Sequence, residues 1–350
     1  MKAVSIPPEA LPVWQGLFKA VDDFKALRPW EWMTDRHLFG IQDPKSGIVG
    51  YCSIMGHARD LYGLDVLLGT DGLEVFLDRM EAPPEISPED SILDWKSLRL
   101  SFENKRTLSR EDMDLLNAVG LKFKGAGQWP LFRSFRPTYF PWFLTLPEAR
   151  FLTLALEQTC AFSSRHRQSP DDIRMPPGVE KYLCLIPEKR ENGLFFREEW
   201  REPDTLSVPK EVSLRLEESR VRRINLMPFL KTGWEMDLLT LPNPFQDSPE
   251  ARPYFPNLLI AADPQDGRCA GQEVLANLGY EQALAERFLS LMEKSEGRPA
   301  FLRLHEEANW DFLAPLFDRL SLPMERCANL PAVDEIYAYL ENNLGDLYSV

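Results

Sequence analysis

Histidine and cysteine are scarce in this 350-residue chain, four of the first and five of the second. Cys52, Cys160, Cys184, Cys269 and Cys327 are odd in number, scattered, and never spaced C-x-x-C. They outline neither a zinc site nor a disulfide framework, and read as reduced thiols of a cytoplasmic protein. No H-E-x-x-H, P-loop or complete dinucleotide-loop motif occurs, so neither a metal nor a cofactor is expected. "GYCSIMG" (50–56) superficially resembles a nucleophile elbow, but Tyr51 and Met55 stand where glycines would flank Ser53, and a strand is the better reading. No apolar run approaches the ~18 residues of a membrane span, and the N-terminus lacks a signal-peptide core. Positive charge is short too: 40 Lys and Arg against 54 Asp and Glu leave a net of −14. Neutralising phosphate needs surplus cations, so nucleic acid and anionic membrane are disfavoured as partners.

What is present is a chain 44% hydrophobic and 11% aromatic, enough for real cores. Its length suggests two domains. Apolar residues at helical spacing predict helices over 14–27, 73–80, 147–162, 280–294, 313–320 and 333–344. Ser109 with Asp112, and Thr145 with Glu148, are capping-box pairs that open helices. Two hairpins are predicted around Asp43-Pro44-Lys45-Ser46-Gly47 and Asp263-Pro264-Gln265-Asp266-Gly267, which share a D-P-x-x-G turn. Further strands are expected at "WKSLRLSF", "GLKFKG", "WEMDLLTL", "AFLRLHE" and "SLPME", and a middle hairpin at "KYLCLI" with "GLFFREEWRE".

Both halves then read hairpin–helix–strand–helix–strand–helix. The expected fold is α+β: two divergent ββαβαβα-like units with mixed sheets and helices mainly on one face, plus the middle hairpin. The expected divisions are an N-terminal domain over 1–163, a middle linker and hairpin over 164–224, and a C-terminal domain over 225–350. Residues 96–136 carry a local excess of five positive charges, whereas 256–350 carry a net of −9.

An aromatic strap, "PLFRSFRPTYFP" (130–141), has an echo in "PFQDSPEARPYFP" (244–256). Its prolines forbid helix and force extended or turned backbone. Repetition favours a packing device over an active site. As a ligand platform the first copy is the better candidate, with Trp129, Arg133, Arg136, Tyr139 and Trp142.

"PWEWMTDRHLFGIQDP", "GYCSIMG" and "FRSFRPTYFPWFLT" resemble an uncharacterised bacterial family, a domain of unknown function. The region from about 225 to 345, with "RPYFPNLLIAADPQDG" and "LPAVDEIYAYLENNL", is similar to a second such family. The resemblance implies a bacterial source and carries no reaction or catalytic residue.

Two functional readings follow. The first is a non-catalytic binding or scaffold protein that takes a protein, peptide or small anion in an interdomain cleft or on the aromatic–arginine strap. The second is a hydrolase or metal-dependent enzyme using His37, His57 and Asp60, expected at one open end of the first hairpin.

Overall fold

The computed structural model describes residues 7–81, 90–174, 178–191, 193–205, 212–306 and 308–344. The chain divides at residues 207/208 into two compact units, each with its own sheet.

The first unit opens with α1 (Leu11–Leu27), whose Trp14, Leu17, Phe18, Val21 and Phe24 form one buried stripe. Then come β1 (Phe39–Gln42), β2 (Val49–Met55), β3 (Gly63–Leu68), α2 (Gly69–Glu81), α3 (Asp90–Leu93), β4 (Ser97–Glu103) and α4 (Arg110–Val119). β5 (Trp129–Phe135), α5 (Leu146–Arg165), β6 (Tyr182–Arg190) and β7 (Gly193–Arg201) complete it. The sheet order is β5-β4-β3-β2-β1-β6-β7, antiparallel throughout except for the parallel β1–β6 pair. One face packs on α1, α4 and α5 through Phe39, Ile54, Leu64, Val66, Leu98 and Leu100. The other face carries α2, whose Leu73 and Phe76 meet Val49, Tyr51 and Leu67.

Both capping boxes form. Ser109 Oγ accepts from the Asp112 N–H while Asp112 accepts from the Ser109 N–H; Thr145 and Glu148 reciprocate in the same way. Two orphan donors at each helix start are thereby satisfied. The first hairpin turn is tied by Asp43, which accepts from the N–H groups of Lys45 and Ser46, with Gly47 at φ 78°.

Three sequence readings need correction. The strand β3 is missing from them: it lies mid-sheet, buried on both faces, and its one charged residue, Asp65, is buried too, so no apolar–polar alternation marks it. Gly63 is required there, because a Cβ would overlap the Leu100 carbonyl oxygen. "GLKFKG" (120–125) is not a strand. Gly120 caps α4 in the left-handed conformation, and the strand starts later, at Trp129. The middle hairpin β6–β7 is not a detached segment either. β6 lies beside β1, with Gly40 opposite Cys184 and Ile41 opposite Leu185. A Cβ on Gly40 would collide with Cys184 Sγ, so glycine permits that approach.

The second unit holds α6 (Glu218–Asn225), β8 (Trp234–Thr240), β9 (Asn257–Ala262), β10 (Cys269–Leu275) and α7 (Glu281–Lys294). β11 (Leu302–His305), α8 (Ala314–Arg319), β12 (Met324–Cys327) and α9 (Pro331–Leu344) follow. Its order is β10-β9-β8-β11-β12, with β8, β9 and β10 antiparallel and β8, β11 and β12 parallel. α6, α7 and α8 pack on one face through Leu284, Phe288, Leu316 and Phe317, and α9 covers part of the other through Ala332 and Val333. Pro315 restarts the helix as expected, lying in the first turn of α8 just after a 3₁₀ turn.

The second D-P-x-x-G turn repeats the first. Asp263 accepts from the Gln265 N–H, the Gly267 N–H donates 2.9 Å to the Asp263 carbonyl, and Gly267 sits at φ 69°. Around the two hairpins, strand order differs. β1 has the parallel β6 on its far side, whereas β9 has the antiparallel β8.

Candidate functional site

Each proline-rich strap folds back upon itself. In the first, Ser134 and Trp142 exchange N–H···O bonds of 2.8 and 3.0 Å, closing the outer edge of β5. In the second, Phe245 and Tyr254 do the same at 2.7 and 2.9 Å. An open strand edge is a template for unwanted pairing, and the first of these short returns covers part of the β5 edge.

The strap's polar residues are held by named partners. Arg133 grips Asp112 with Nη1 and Nη2, each at 2.8 Å, and Nη1 also reaches the Phe132 carbonyl at 2.7 Å. Arg136 donates to Glu148 Oε1 at 3.0 Å, and the Ser134 hydroxyl donates to the same oxygen at 2.9 Å. Burial opposes ionisation of Glu148, yet the Thr145 N–H, the Arg136 guanidinium and the Thr145 and Ser134 hydroxyls outweigh it, holding the carboxyl below its usual range. Trp129 packs on Phe123, and Trp142 on Phe143. Trp129, Arg133, Tyr139 and Trp142 are half-buried, Arg136 is exposed, and Phe140 shows 40% of its surface. The platform residues are thus neither sealed in the core nor freely projecting.

Strand pairing adds something that spacing does not reveal. Ser53 stands opposite Asp65, Asp65 opposite Arg99, and Arg99 opposite Arg133, a single row across β2, β3, β4 and β5. Directly opposed residues share a face, so these four side chains lie on the face away from α1 and α5. Arg99 gives Asp65 Oδ2 its Nε–H at 3.1 Å and an Nη2–H, and Trp95 Nε1 adds a bond of 3.2 Å. The Arg99 guanidinium lies 4.5 Å from the Phe135 ring centroid and 5.5 Å from that of Trp95; Arg133 lies 5.0 Å from that of Phe143. Asp65 is 2% exposed, and its Oδ1 has no hydrogen-bond partner among the described residues. Sequence reasoning named Arg133 but missed Asp65, Trp95 and Arg99. Alternation in "WKSLRLSF" places Arg99 opposite in sense to Leu98 and Leu100, which is the one local signal available.

The proposed catalytic trio lies at the open end of the first hairpin, as the antiparallel pairing of Phe39 with Cys52 and Gln42 with Val49 requires, but its side chains make their bonds elsewhere. His37 is buried; its Nδ1 accepts from the Thr34 N–H at 2.9 Å, and its Nε2 faces Asp171 Oδ1 at 3.3 Å. Its partners are therefore Thr34 and Asp171. His57 and Asp60 are exposed, and neither bonds to His37; Asp60 Oδ1 accepts from the adjacent Leu61 N–H. Among the described residues no group of three or more His, Cys, Asp or Glu is placed to hold a metal ion.

A cavity of about 760 Å³ also opens in the first unit. Its walls include Thr70, Leu73 and Leu77 of α2, Tyr182 of β6, and the carboxylates Glu74 and Asp204. Nothing in the spacing of these residues announces it, since they come from three separate parts of the chain.

Residues 14–183 match a domain of unknown function, DUF7309, and residues 220–341 match a second, DUF6930. No curated protein and no solved structure matches the chain. Among the described residues no helix is long and apolar enough to cross a membrane.

Proposed function

We propose that this is a cytoplasmic, non-catalytic binding or scaffold protein, bacterial as its resemblance implies, whose ligand surface is the arginine row and aromatic strap of the first unit. The supporting observation is the opposition of Arg99 and Arg133. Like charges directly across an antiparallel pair cost stability. Here both guanidiniums are pinned by carboxylates and rings, yet keep side-chain exposures of 25% and 19%. A fixed, partly desolvated pair of forks beside half-exposed aromatic rings is a recognition surface, because little entropy remains to be lost on binding.

The test is a fragment screen on the full-length chain, followed through the arginine Nε–H and tryptophan indole signals in nuclear magnetic resonance spectra. Binders are expected to move Arg99, Arg133 and Trp95 together. Binders that gather instead at His37, His57 and Asp60, with those three signals still, would overturn the reading.

A further inference from the structure

We propose that the cavity beside α2 binds an organic cation, a protonated amine carried on an apolar body, at a site separate from the arginine row. Its volume of about 760 Å³ falls within the range of roughly 300–1,000 Å³ typical of small-molecule sites. The floor is apolar: Leu73 is buried, and Leu77, Tyr182 and Pro203 are half-buried. The mouth is acidic. Glu74, Glu180, Glu202 and Asp204 are all exposed there, against the single lining cation Lys181. Lys181 lies 3.4 Å from Glu202, which leaves Glu74, Glu180 and Asp204 without an ion pair among the described residues. The Thr70 hydroxyl donates to the Asp204 carbonyl at 2.6 Å and ties that side of the mouth to α2, so little ordering remains to be done on binding.

The rings behind the floor register the negative field. Burial and then the charge of Glu180 raise the pKa of Tyr182. Burial first, then Cys184, Asp204 and Tyr182, raise that of Tyr51 against the pull of Arg201. Tyr51 is 3% exposed and packs edge-on to Tyr182, with 5.3 Å between ring centroids. Among the described residues its hydroxyl has no hydrogen-bond partner. A buried hydroxyl left unpaired is costly, and an N–H donor entering the cavity supplies what its oxygen lacks. A hydroxyl also donates to anions, but the carboxylates at the mouth repel them. An amine on an apolar body uses every part of this site. Its body covers Leu73 and Leu77, its charge meets the carboxylates, and the Tyr182 ring adds cation–π attraction. A bare metal ion would use the charge alone, and among the described residues no three His, Cys, Asp or Glu are placed to ligate one.

The experiment titrates the full-length protein at constant ionic strength with hexylammonium, Nα-acetyl-lysine methylamide, hexanol or ammonium chloride. It reads the methyl signals of Leu73, Leu77 and Val179, which line the cavity, in nuclear magnetic resonance spectra. Saturable shifts with the two amines are expected, about tenfold weaker when Glu74→Gln is combined with Asp204→Asn and unchanged in Arg268→Gln. Tighter binding of the lysine derivative would assign the site to a lysine side chain of a protein or peptide, and equal or tighter binding of hexylammonium to a free amine. No saturable shift with either amine overturns the inference, as does hexanol or ammonium chloride binding equally well. Both substituted carboxylates are exposed, so the double variant should fold, and an unchanged affinity in it overturns the inference too. Failure here leaves the arginine row untouched, because the two sites share no residue.

Discussion

Arg133 and Asp112 form a two-pronged ion pair, both bonds 2.8 Å, joining the edge strand β5 to the first turn of α4. Both side chains are largely withdrawn from solvent, at 19% and 9% exposure. Asp112 is also the third residue of the capping box, so a single carboxylate serves helix start and sheet edge together.

Truncating Arg133 to alanine strands Asp112 as an unpaired, nearly buried charge, and should cost about 3 kcal/mol of stability. Replacing both residues, Arg133→Met with Asp112→Ser, should cost less than the sum of the single changes. Urea denaturation of the four proteins measures the coupling. Strict additivity would mean that the pair acts independently.

Two helical glycines should respond with opposite signs. A Cβ added to Gly16 in α1 would meet nothing within 4 Å, so Gly16→Ala should stabilise by about 1 kcal/mol. Gly72 in α2 would place its Cβ 2.5 Å from the Lys96 carbonyl oxygen, so Gly72→Ala should destabilise despite better helix propensity. Thermal midpoints of the two variants decide it.

Acid should weaken the strap before the cores. Folding lowers the pKa of Glu148: burial raises it, but four hydrogen bonds from Thr145, Arg136 and Ser134 overcome that. A carboxylate acidified by folding contributes stability that is complete above its unfolded value of about 4.3, and loses it as pH falls through the lower folded value. Glu148→Gln should therefore flatten that part of the stability–pH curve. Denaturation midpoints collected from neutral pH down through that window test this, and an unchanged slope would contradict it.

Thiol reactivity should follow burial. Burial pushes the Cys52 and Cys160 thiols up to about 12 and Cys184 up to about 11, while Cys269 is exposed. The thiolate is the nucleophile, so at mildly alkaline pH Cys269 should react first with a disulfide reagent. Cys52 and Cys184 should react only on unfolding. Mass mapping of partially labelled native protein supplies the check.

Much of the local architecture is legible in the chain. Ser109 and Asp112, Thr145 and Glu148, and the turns at Asp43 and Asp263 each act across two or three residues, and each is found where its spacing places it. β3 escapes because a strand buried on both faces carries no alternation to read. Of the polar row, Arg133 could be named, but not its company.

Helix starts, hairpin turns and the strap's refusal of helix were determined by the sequence alone, since donors and acceptors a few residues apart meet whatever the rest of the chain does. Which strands lie side by side was decided only in the tertiary structure. Asp65 and Arg99 are 34 residues apart and meet because β3 and β4 are neighbours in one register. A shift of that register by one residue would turn Arg99 to the opposite face and dissolve the row, because side chains alternate faces along a strand.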